Sequence, residues 1–139
     1  MNALLTIHSI TRWLVTLAAL ALIIRLVLGL VKKQAFDKGA STLLSAFNGL
    51  MDTQALLGIM FFVFSGMGEA GFPRYRWEHA VTMLVATIVA HLPAMWKKKN
   101  DSTRTRNTLI AVCFALLLVF LGVSSIGGWT RWWHITGLF

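Results

Sequence analysis

Four stretches of this chain are apolar for long enough to cross a bilayer, and they leave little sequence for anything else. A helix needs about 20 residues to span roughly 30 Å of hydrocarbon. The stretches are Leu4 to Val31, broken by Arg12 and Arg25; Ser41 to Ser65, broken by Asp52; Tyr75 to Trp96, with Glu78 near its start; and Asn107 to Trp129, without a charge. A composition of 57% hydrophobic and 13% charged residues excludes both an ordinary soluble domain and a disordered chain. The first stretch has no basic leader and no small-residue cleavage motif, and it is too long for a signal sequence, so it reads as a retained helix. Short loops then favour an all-α, integral-membrane, antiparallel four-helix bundle, one domain over 1–139, with a short interfacial tail over 130–139.

Loop charge sets the expected direction, because Lys and Arg stay on the cytoplasmic side of short loops. Lys32, Lys33 and Lys38 follow the first helix, and Lys97, Lys98, Lys99, Arg104 and Arg106 follow the third. The opposite side carries Arg74, Arg76 and Arg131, while Arg25 is close enough to the inner end of its helix to snorkel there. Both termini are therefore expected outside. Trp77, Trp129, Trp132 and Trp133 would form an outer aromatic belt and Trp96 an inner anchor. Topology thus accounts for the net charge of +8 without nucleic acid as a partner. Cys113, the single cysteine, excludes a disulfide framework and a thiolate cluster within one chain.

Polar side chains inside hydrocarbon are costly, so each is a candidate functional residue. His8 and His79 each lie about four residues, roughly 6 Å, inside the outer end of their helices. In an up-down bundle the first and third helices sit on a diagonal, so two imidazoles at one depth can face each other across the core. Such a pair can hold a b-type haem, each histidine giving one axial nitrogen to the iron. The flanking helices carry small residues at that depth: Gly58, Ser65, Gly66 and Gly68 on the second, Gly122, Ser124, Ser125, Gly127 and Gly128 on the fourth. Two plainer accounts stay open, close helix packing for the small residues and interfacial hydrogen bonding for the histidines. Arg12, Arg76 and Ser125 are the other side chains expected to contact the haem.

His91 is twelve residues beyond His79, about 18 Å deeper and about 120° around the helix, so the two cannot share one iron. With Asn48, Asp52 and Gln54 it forms a candidate inner polar cluster, either a quinone site or proton relay, or a self-satisfying structural network. Pro93 removes a backbone donor just past it. Arg12 is expected to pair with Asp52, with Glu78 or a haem propionate as competitors. His134 belongs to the tail, from which it could fold back as a replacement ligand.

His8-Ser9-Ile10-Thr11-Arg12-Trp13, Gln54-xx-Leu57-Gly58, Glu78-His79 and the basic loop after the third helix resemble a family of short bacterial four-helix membrane proteins labelled "cytochrome b". The resemblance covers most of the chain and departs at Asp52, near which histidine is common in that family. It implies one haem b per chain, ligated at His8 and His79, in a multi-pass protein of the bacterial inner membrane. The expected function is electron relay between a quinol or membrane partner and an acceptor on the outer face. A subunit of a larger complex or a homodimer fits this better than a self-sufficient enzyme, because no nucleophile or nucleotide motif is present. The alternative is a non-redox membrane protein, a small transporter lined by Arg12, Asp52, Asn48 and His91 or an accessory subunit.

The orientation is checked with Asn100→Cys in a Cys113→Ser background. An impermeant maleimide should leave position 100 unlabelled in intact cells and label it after permeabilisation; labelling in intact cells would invert the topology.

Overall fold

A computed structural model describes residues 2–133. His134 and the rest of the expected tail beyond Trp133 lie outside the described residues. Four helices account for most of the chain: α1 (Asn2–Val31), α2 (Lys38–Gly66), α3 (Arg74–His91) and α4 (Asp101–Gly127), with 3₁₀ turns at Leu92–Trp96 and Trp129–Trp132. No strand occurs among the described residues. All four helices, α3 together with its 3₁₀ turn, are long and apolar enough to cross a membrane, so the chain is a multi-pass membrane protein in a lipid bilayer. Each helix packs against two others: α1 against α2 and α4, and α3 against the same two, which leaves α1 and α3 on a diagonal.

The helix ends are set by caps that hydropathy does not register. Asp37 starts α2 three residues before the apolar stretch, its carboxylate accepting the Ala40 N–H at 2.9 Å. The same carboxylate pairs with Arg25 at 2.6 Å, which ties the end of α1 to the start of α2. That backbone N–H and the Arg25 guanidinium hold the Asp37 carboxyl below its ordinary range. Asn100 starts α4 six residues before the expected Asn107, accepting the Thr103 N–H at 2.8 Å. Arg104 and Arg106, expected in a loop, therefore lie on α4, where the Arg104 guanidinium sits 3.9 Å from the centroid of the Phe36 ring. Pro93 ends the regular α3 pattern, and the chain tightens into the 3₁₀ turn from Leu92. At the other end of α4, Gly128 at φ 74° bonds back to the Ser124 carbonyl and stops the helix before Trp129.

That stop redirects the aromatics. Trp132 was expected in the outer belt, and instead it is 7% exposed and part of the core. Its ring stacks on Phe120 at 5.2 Å, meets Trp13 edge-on at 6.4 Å, and donates Nε1–H to the Phe120 carbonyl at 3.2 Å. The 3₁₀ turn is short enough to bring the indole back under the end of α4, so the turn seals the bundle. Trp129 and Trp133 are exposed.

Truncating a buried aromatic removes packing worth about 3–5 kcal/mol, whereas exposed positions stay within about 0.5 kcal/mol. Trp132→Ala should lower the thermal midpoint of the purified protein strongly and Trp133→Ala hardly; equal midpoints would place Trp132 outside the core.

Candidate functional site

The diagonal helices bring His8 and His79 together. Their ring centroids are 6.4 Å apart, with the ring planes at 76°. Both border a cavity of about 370 Å³ whose wall is mostly α2 and α3 and also includes Arg12, Arg76 and Gln54. A smaller cavity of about 50 Å³ touches the same two rings from the side of Val123 and Ile126.

His79 is oriented from α4. Its Nδ1 lies 2.7 Å from the Gly122 carbonyl; a carbonyl only accepts, so Nδ1 carries the proton and Nε2 keeps its lone pair. Ser125 donates to that same Gly122 carbonyl at 2.8 Å. Glycine at 122 leaves space there: a Cβ would displace the flexible end of Met83 and stand 3.3 Å from Thr82 Cγ2.

His8 is oriented from α2. The Gln54 amide nitrogen donates to the His8 carbonyl at 3.0 Å, which fixes the amide's direction, and lies 3.3 Å from His8 Nε2. His8 Nε2 is thus an acceptor and Nδ1 carries the proton, buried with no hydrogen-bond partner among the described residues. Gly58 gives the ring its space, since a Cβ there would be 3.2 Å from Cε1. Both imidazoles therefore hold the same tautomer, with Nε2 as the basic nitrogen.

The expected Arg12–Asp52 pair does not form. Arg12 is buried, donates from Nη2 to the Trp132 carbonyl at 3.1 Å, and lies 5.4 Å and 5.8 Å from the ring centroids of Trp132 and Trp13. Asp52 contacts His91 Nε2 at 3.4 Å instead, while His91 Nδ1 bonds to the Thr87 carbonyl at 2.9 Å. The expected inner cluster is thereby divided. Asp52 and His91 meet, Gln54 goes to His8, and Asn48 keeps a buried Oδ1 without a hydrogen bond among the described residues. Two helical residues two apart point about 200° from each other, so the Asp52-x-Gln54 spacing already carried that division. Arg76 donates to Ser65 Oγ at 2.6 Å and to the Gly71 carbonyl at 3.4 Å. The partners that sequence reasoning missed, the Gly122 and Trp132 carbonyls, are backbone atoms and leave no residue-type signal.

Among the described residues, no group of three or more His, Cys, Asp or Glu is arranged to hold a metal ion. No family model, curated protein or solved structure matches this chain.

The Gln54 amide gives His8 two hydrogen bonds, yet among the described residues its Oε1 is buried without one. Gln54→Leu removes that unsatisfied oxygen but leaves the His8 Nε2 acceptor without its donor, a net cost of about 1–3 kcal/mol. The thermal midpoint should fall modestly while the ¹⁵N resonance of His8 Nε2 shifts; an unchanged midpoint and resonance would mean that the amide does not hold the ring.

Proposed function

We propose that this chain is a b-type cytochrome of the bacterial inner membrane, an antiparallel bundle with both termini outside and one haem between His8 and His79. The observation that carries the proposal is the pair of rings 6.4 Å apart beside an apolar cavity, each with Nε2 as its basic nitrogen. Two metal–imidazole bonds of about 2 Å with the two half-rings between them span roughly that separation. An iron held in a macrocycle asks the protein for two axial nitrogens only, so the donor set fits without a larger ligand cluster.

When bound, the haem supplies one-electron redox chemistry. The residues do the rest. Gly122 and Ser125 fix the plane of His79 and strengthen Nε2 as a donor through the proton on Nδ1. Gln54 holds the His8 backbone and yields the Nε2 lone pair on ligation. Arg12 and Arg76, both in the cavity wall, supply positive charge for the propionates. The haem near the outer face suits relay from a membrane quinol or protein donor to an outer acceptor, within a larger complex or a homodimer.

A pyridine haemochrome spectrum of purified protein should give one haem b per chain. His8→Ala and His79→Ala should each abolish the low-spin Soret and α bands, and His91→Ala should retain them. Protein without haem, or a His8/His79 double variant with an intact low-spin spectrum, overturns the assignment. The non-redox membrane protein then takes its place, a reading favoured by the bond from Gln54 that already satisfies His8 Nε2.

A further inference from the structure

Ala80, Leu84 and Thr87 line the cavity from α3. With His91 they fall at i, i+4, i+7 and i+11, a single stripe of a helix, so His91 continues the cavity wall one turn beyond Thr87. Opposite, Met51 of α2 belongs to the wall, and the adjacent Asp52 reaches across to His91 Nε2 at 3.4 Å. The pair lies just past the inner end of the cavity lining, between α2 and α3. Its side chains are 45% and 57% exposed, although both stand within helices fit to cross a membrane. An uncovered carboxylate and imidazole in hydrocarbon are costly and mark ligand or proton sites. His91 Nδ1 is committed to the Thr87 carbonyl, which leaves Nε2 and the carboxylate for an outside group.

The geometry points to a quinol headgroup site. The cleft between α2 and α3 takes the ring of a lipid-soluble quinol, with one ring hydroxyl donating to the Asp52–His91 pair and the isoprenoid tail passing between the helices into the bilayer. The occupant has to be bilayer-soluble and flat enough to lie against Met51 and Leu84. It also needs a hydroxyl that donates, because with Nδ1 protonated the pair offers two acceptors, the His91 Nε2 lone pair and the Asp52 carboxylate. A phospholipid phosphate calls for Arg or Lys, and a carboxylate stands there instead. The choice of occupant rests on the electron-relay reading, whereas the cleft and the pair do not.

The test is titration of the protein in phosphatidylcholine nanodiscs under argon with prereduced decyl-ubiquinol and with a short-chain menaquinol, following the quenching of tryptophan fluorescence; Trp77 lines the same cavity. Saturable quenching by the wild type is expected, weakened about tenfold in both Asp52→Asn and His91→Gln, with helicity and haem spectrum unchanged. Equal affinity across the three proteins, or no saturable binding by haem-loaded wild type, overturns the site and leaves the cytochrome intact. Pair-dependent binding by protein that holds no haem keeps the site and removes the cytochrome. Self-association lost in both variants, without saturable quinol binding, assigns the pair to contact with a second copy and also overturns the site.

Discussion

The Gly122 carbonyl governs the geometry on which the site depends. It accepts from His79 Nδ1 and from Ser125 Oγ, and the missing side chain at 122 leaves room beside it for the Met83 methyl and for Thr82. A larger residue would turn the flexible end of Met83 aside and press on Thr82, close to one helical turn from His79. Because the carbonyl can only accept, it also decides the tautomer, which a side-chain hydroxyl or amide in the same place would leave open.

On the other diagonal helix the same task is done with different chemistry. Gln54 orients His8 through a side-chain amide, and Gly58 makes the space. The amide is replaceable at Nε2 in a way that a backbone carbonyl at Nδ1 is not, so the two imidazoles differ in function despite their shared tautomer. His79 is held from behind, with Nε2 free of the bond that orients it. His8 is held at the nitrogen that any metal would need, so ligand binding there displaces one hydrogen bond and leaves the other, to the His8 carbonyl, in place.

Depth along a helix is legible in sequence because the rise per residue is constant, and the matched depth of His8 and His79 follows from counting. Azimuth is less legible, since it depends on how neighbouring helices turn toward one another. That Asp52 and Gln54 diverge is readable from their spacing, but which neighbour each one meets is not. Arg12 shows a second limit. Its side chain reaches several elements, and the acceptor it meets, the Trp132 carbonyl, belongs to a turn whose path is set by the left-handed Gly128 and by ring stacking on Phe120. Neither has a periodicity to read. The caps were legible in principle, since Asp37 and Asn100 are good N-cap residues, but hydropathy marks where lipid contact begins and the helices extend beyond it.

The distribution of polarity among the helices argues for a division of labour. The α1 and α4 spans have mean hydropathies of 2.7 and 2.8, while those of α2 and α3 reach only 1.4 each. The apolar pair also contributes more of its residues to the interior, 28% and 33% of the span windows against 11% and 22%. The core is thus carried mainly by α1 and α4, sealed at one end by Trp132, and the main cavity is walled mostly by α2 and α3. Opening the seam between those two helices costs the least packing, because α2 and α3 touch less than the other neighbouring helix pairs. That freedom permits Gln54, Asp52 and His91 on these two helices: polar groups that would break a tight helix seam in lipid are tolerated where the seam is a cleft.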